Sequence, residues 1–188
     1  ELEYYMKKNG SEKPSFDTIC VSGTNSSRPH GVPRPVKLEK GFLTMDYGAM
    51  VNGYHSDMTR TICIGKADEE MKKLYHTVLT AQQAAIDAAQ PGMHNADLDK
   101  VARDIIDGAG YTGCFGHSLG HGVGLLIHED PRVSSGAGEL VLQPGEIITI
   151  EPGIYVEGKY GCRIEDMLYI TSDGKRNLTD CPKDLIEV

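Results

Sequence analysis

Five residues of this chain have the types and spacing of a metal centre: Asp46, Asp57, His121, Glu151 and Glu165. They sit in the strings LTMDYGA, YHSDMTRT, SLGHGVGL, TIEPGIY and CRIEDML. Four carboxylates and one imidazole form a hard, oxygen-rich donor set that repels itself unless cations fill it. Two divalent ions about 3.5–4 Å apart are a common hydrolytic arrangement. Most acidic side chains are solvated surface charges. Asp46 and Glu151, however, each end an apolar run, which draws them towards the interior. A buried, unpaired carboxylate costs several kcal/mol or takes up a proton.

The elements that carry these acids repeat. Asp46-x-Gly48-x-x-Val51-x-Gly53 matches Glu151-x-Gly153-x-x-Val156-x-Gly158 position for position. Each copy follows a short apolar strand headed by Gly41 or Gly145, and each leads to a second acid, Asp57 or Glu165. Two strand–turn–strand units, each offering two carboxylates, predict a pseudo-twofold domain with its metals on the axis.

The histidines divide into two groups. His117, His121 and His128 share the glycine-rich stretch GHSLGHGVGLLIHEDP, whose small residues permit close backbone approach and a crowded cleft. His30, in a PHG triplet, is a further candidate. His76 and His94 read as surface residues, and His55 as a wall residue or an exposed one.

Around these residues the chain alternates short strands with two helices. Residues 15–23, 42–45, 57–64 and 147–150 read as strands. Apolar positions at intervals of three and four from Glu69 to Gln90, closed by Pro91-Gly92, predict a helix. Leu98 to Ile106 predicts a second, with Asn95 as its cap and Gly108 or Gly110 as its stop. Residues 24–40 read as a loop.

The bulk properties are those of a globular protein. Its 188 residues suit one domain, and its net charge of −8 argues against nucleic acid or an anionic membrane as a partner. Five dispersed cysteines without a CxxC pair fit a reducing compartment, and a cytoplasmic location is expected. The opening ELEYYMKKNG reads as the last turns of a helix, so the chain is expected to be part of a longer protein.

Over nearly all of its length the chain resembles the catalytic domain of the pita-bread metallopeptidases. That group contains methionine aminopeptidase, aminopeptidase P, prolidase and creatinase. The resemblance implies an α+β fold with pseudo-twofold, βαβ-type halves around a curved antiparallel sheet, helices on the outer face, and one catalytic domain over residues 1–188. The N-terminal domain and first catalytic-domain helices of relatives would precede it. The strings MDYGA, GYHSDMTRT and HSLGHGVGLLIHEDPR, and the 14-position spacing of Glu151 and Glu165, are similar to the Xaa-Pro aminopeptidase and prolidase branch.

What this resemblance implies is specific. Asp57 and Glu165 would bridge two metals, manganese by family habit, with cobalt, zinc or iron able to use the same ligands. Asp46 would chelate one ion, and His121 with Glu151 the other. Glu151 would act as general base towards a hydroxide held between the metals. His128 would bind the substrate carbonyl or the developing oxyanion, and His30 would help to place the substrate. His117 would line the proline pocket, Tyr155 is a pocket or shuttle candidate, and Arg163 would orient a ligand carboxylate from behind. The expected activity is Xaa-Pro aminopeptidase, on peptides with proline second. The alternative is Xaa-Pro dipeptidase, in which Arg132 would bind the free carboxylate. Arg132 reads equally as a structural arginine at the cleft rim, since aminopeptidase-like members share the HExPR pattern. A non-catalytic peptide-binding module is a remoter reading. Family habit also implies a homo-oligomer.

Overall fold

Two copies of one strand–hairpin–strand unit frame the fold and bring distant carboxylates together. The computed structural model describes residues 1–188. Helix α1 (Leu2–Lys8) and strands β1 (Lys13–Pro14) and β2 (Ile19–Ser22) lead into the first unit. That unit is β3 (Gly41–Tyr47), the hairpin β4 (Ala49–Val51) and β5 (Tyr54–His55), and β6 (Met58–Ile64). Helices α2 (Glu69–Ala88) and α3 (Asn95–Ile106) follow, then β7 (Gly120–Gly122) and β8 (Glu129–Val133). The second unit is β9 (Ile147–Ile150), the hairpin β10 (Gly153–Val156) and β11 (Tyr160–Arg163), and β12 (Asp166–Ile170), with β13 (Lys175–Asn177) added at the edge.

The repeat read in the sequence recurs in the backbone. Gly41 and Gly145 head the two units at φ 102° and 100°, and Gly53 and Gly158 turn the two hairpins at φ 79° and 73°. A side chain at any of these four positions would be strained. The strand pairs are antiparallel, β3 with β6 in one unit and β9 with β12 in the other. The larger sheets run β2-β3-β6 and β13-β12-β9-β7-β8.

The helices pack on each other and back the strands. Asp68 caps α2, its side chain accepting from the Met71 amide at 2.8 Å, and Glu69 and Glu70 oppose the helix dipole in the first turn. Met71, Leu74, Tyr75, Val78, Ala85 and Ile86 form the buried stripe that the periodicity predicts. Helix α3 differs in detail. His94 is the cap residue, without a side-chain bond, and Asn95 lies inside the first turn. The Asn95 amide instead donates to the Arg132 carbonyl at 2.9 Å, tying α3 to β8. The stop is a wide turn over Asp107–Tyr111, with Gly110 at φ 94°. Both helices share one core with Phe42, Leu119, Ile148, Ile150 and Leu168. No helix is long and apolar enough to cross a membrane.

Candidate metal centre

Each of the five predicted donors lies at or beside a strand end where the two units meet. Asp46 is on β3, opposite Ile19 on one side and Thr59 on the other. Asp57 immediately precedes β6, Glu151 follows β9, Glu165 lies between β11 and β12, and His121 is the middle residue of β7. Strand β7 approaches β9 so closely that a methyl group on Gly120 would collide with the Thr149 carbonyl. Gly48 presses in the same way on the Ser56 carbonyl. These contacts leave no space for side chains, and they carry His121 to the centre.

There the ligand atoms of Asp57, His121 and Glu165 lie within 4.8 Å of one another, and all three residues are buried. His121 Nε2 is 3.3 Å from Glu151 Oε1 and 3.6 Å from Asp57 Oδ2. His121 Nδ1 lies 3.0 Å from the Gly122 carbonyl, which can only accept, so Nδ1 carries the proton. That bond aims Nε2 at the carboxylates. Burial opposes charge on the ring, but without a cation Nε2–H donates to Glu151, which raises the imidazole pKa. The same nitrogen is the one free to give its lone pair to a metal.

The hydrogen bonds separate held oxygens from open ones. Arg163 Nη2 donates to Asp46 Oδ2 at 2.5 Å, and Thr59 Oγ1 donates to Glu165 Oε2 at 2.6 Å. Thr149 Oγ1 accepts from the His121 amide and donates to Glu151 Oε1, both at 3.1 Å. Asp46 Oδ1 and Glu165 Oε1 are buried with no hydrogen-bond partner. Buried polar atoms are normally satisfied, so these two oxygens are where cations fit the donor set.

Electrostatics point the same way. Burial, with Asp46 and Glu151 alongside, pushes the Asp57 carboxyl well above its usual range. Burial, with Asp57, Glu151 and Asp46 alongside, does the same to Glu165. Burial also raises Asp46, against the pull of Arg163. Burial opposes charge on Glu151 too, but His121, His117 and Arg163 outweigh it and hold that carboxyl down. A cluster this negative is stabilised by divalent cations.

The remaining predicted residues divide. His30, His117, His128, Arg132 and Arg163 line a cleft of about 230 Å³ together with the five donors. His30, His128 and Arg132 are exposed, and the Arg132 guanidinium has no ion-pair partner in the chain. The His128 ring, though exposed on its outer side, packs 4.3 Å from the His121 ring, and partial desolvation there and His121 lower its pKa, favouring a neutral imidazole. Tyr155 does not line the cleft. Its hydroxyl donates to His117 Nε2 at 2.9 Å and accepts from Arg163 Nη1 at 2.8 Å, so it braces the wall from behind. His55 lies outside the cleft, and His76 and His94 are exposed.

Sequence reasoning missed Thr59, Thr149 and Arg60, whose hydroxyl and guanidinium groups hold the donors or their backbone. A threonine two residues from a carboxylate carries no periodic signal. It also missed Ile19 and Ile127, which with Phe16 form an apolar part of the lining.

Fold and sequence together place the chain in the pita-bread class. The chain belongs to metallopeptidase family M24, whose profile matches residues 1–172. It is 50% identical over 187 residues to an Xaa-Pro dipeptidase of Pyrococcus furiosus, covering 99% of this chain and 53% of that protein. The solved prolidase from Pyrococcus furiosus superposes with a TM-score of 0.94 at 50% identity, covering 96% of this chain and 54% of that one. An X-Pro aminopeptidase from Thermotoga maritima superposes with a TM-score of 0.95 at 41% identity, covering 100% of this chain and 53% of that one. The chain thus spans about half the length of the relatives it matches.

Proposed function

We propose that residues 1–188 are the catalytic domain of an Xaa-Pro dipeptidase. The relatives move the balance from the aminopeptidase expected from the sequence towards the dipeptidase alternative. The observation that carries this reading is Arg132, a guanidinium without an ion-pair partner in the same cleft as the five donors. An arginine fork matches a carboxylate bidentately, and a dipeptide presents its C-terminal carboxylate next to the scissile bond.

Asp46, Asp57, His121, Glu151 and Glu165 would hold two divalent cations, with manganese suited to so many oxygen donors. Bound there, the cations supply Lewis-acid activation of water and of the scissile carbonyl. Hydrolysis adds the water oxygen to the carbonyl carbon and breaks the C–N bond to proline. The proline nitrogen has no hydrogen in the peptide and must gain one as it leaves. Glu151 accepts the proton from water and delivers it to that nitrogen. A carboxyl held down by its neighbours is ionised at neutral pH and ready to accept it. His128 donates a hydrogen bond to the carbonyl oxygen as charge develops there, and His30 positions the peptide opposite it. His117, held by Tyr155, walls the proline side.

The test is turnover of an Xaa-Pro dipeptide and an Xaa-Pro-Xaa tripeptide by full-length protein with added Mn²⁺. Dipeptide cleavage with little tripeptide cleavage is expected. Arg132→Ala should raise KM for the dipeptide about tenfold or more while changing kcat less. Equal efficiency on the tripeptide would return the reading to aminopeptidase.

A further inference from the structure

A buried ion-pair network lies behind the centre, on the side away from the cleft. Arg60 follows Asp57 by three residues on β6, and Asp166 directly follows Glu165 at the start of β12. Arg60 is 6% exposed and Asp166 is fully buried. A guanidinium has five N–H donors, and each has an acceptor here. Nη1 donates to the Thr59 carbonyl at 2.9 Å and the Glu165 carbonyl at 2.6 Å. Nη2 donates to Asp166 Oδ1 at 2.8 Å and the Cys181 carbonyl at 3.0 Å, and Nε to the Pro182 carbonyl at 3.1 Å. Asp166 Oδ2 accepts from Asn177 at 2.7 Å and from Lys183 Nζ at 2.6 Å.

The place of this network matters more than its size. Strands β6 and β12 belong to different sheets. Where they meet, the Glu165 amide donates to the Thr59 carbonyl at 3.1 Å, and Arg60 binds that same carbonyl together with the Glu165 carbonyl. One side chain therefore fixes the carbonyl of Glu165 itself and the backbone two residues beyond Asp57. We propose that Arg60, clamped by Asp166 and the 181–183 segment, is a positioning residue that sets the separation of the Asp57 and Glu165 carboxylates and hence how tightly a pair of cations is held. The proposal rests on the two-cation reading above. An ion pair serving stability alone would leave cation binding unchanged once the protein is folded.

The experiment titrates chelated full-length protein with Mn²⁺ and records Mn²⁺ electron paramagnetic resonance, for wild type, Arg60→Lys and Asp166→Asn. Circular dichroism checks the fold of each. Lysine keeps the charge but cannot span the five acceptors. Wild type should bind two ions with an exchange-coupled spectrum. Folded Arg60→Lys should bind the weaker ion about tenfold or more less tightly and show isolated-ion signal instead. Wild-type affinity and an unchanged coupled spectrum in Arg60→Lys would overturn the proposal. If Arg60→Lys does not fold, Asp166→Asn decides by the same readout, since it keeps an acceptor for Arg60 but weakens the hold of Lys183. A loss of about threefold or more supports the clamp, and none refutes it. Wild type binding fewer than two ions would refute the two-cation reading, and this proposal with it.

Discussion

Arg163 holds one oxygen of Asp46, Oδ2, at 2.5 Å, while the other, Oδ1, is buried without a partner. The guanidinium thereby fixes which way the carboxylate faces. Arg163 is held in turn by the Tyr155 hydroxyl, the Thr59 hydroxyl and the Pro29 carbonyl. Supporting bonds of this kind are typically worth about 10–100-fold in metal affinity. Arg163→Met should weaken Mn²⁺ binding by that order, read by calorimetric titration, and unchanged binding would show that the orientation is set elsewhere.

Thr59 supports the same centre from the other unit. Its hydroxyl donates to Glu165 Oε2 at 2.6 Å and accepts from Arg163 Nε at 3.1 Å. Thr59→Val preserves shape and removes both bonds. Leaving buried polar groups unsatisfied should cost about 1–3 kcal/mol. Denaturant melts of the variant against wild type measure it, and a cost near zero would mean that the bonds contribute little.

The raised carboxyls make stability depend on pH in an unusual direction. Asp57 and Glu165 titrate higher folded than unfolded. Their contribution is fully present below the unfolded value, about 4, and is lost as pH rises through the folded values. With chelator present, wild type should lose thermal stability as pH rises above about 4, and Glu165→Gln should lose less. At pH 7 the variant should melt roughly 2–8 °C higher, and Mn²⁺ should reverse the order. Parallel pH profiles for the two proteins would contradict the assignment.

A second buried pair holds the histidine segment. Asp99 on α3 is fully buried, pairs with Arg103 at 2.9 Å and accepts from the Leu119 amide at 3.0 Å. Arg103 also donates to the Phe115 and His117 carbonyls. Asp99→Ala should destabilise the fold by about 3 kcal/mol, the low end for breaking a buried pair, because Arg103 keeps some contact with water. The midpoint and slope of a urea melt test this.

Much of this was legible in the sequence, and the reasons are local. Helix α2 announces itself by period and by Pro91. Asp46 and Glu151 stand out because charge is rare at the end of an apolar run. The duplicated spacing showed that the two pairs of acids belong together. Asn95 misled because a residue that can cap a helix can equally donate to a distant carbonyl, here that of Arg132. Arg60 and Asp166 were silent because they are 106 residues apart and most of their partners are backbone atoms. The choice between dipeptide and longer peptide was not legible either, since on the reading proposed above it turns on whether the Arg132 guanidinium stands free in the cleft, which no spacing in the sequence shows.

The collision that any side chain at Gly120 would make with the Thr149 carbonyl has a consequence for descent. The outline of the domain is held by positions that reject almost every replacement, whereas its chemistry is held by five side chains that single base changes can remove. Outline and chemistry are therefore free to be inherited separately. A lineage that discarded its donors would shed the repulsion among them and keep the cleft. Paralogues that hold peptides without cutting them are the offspring such a frame would leave.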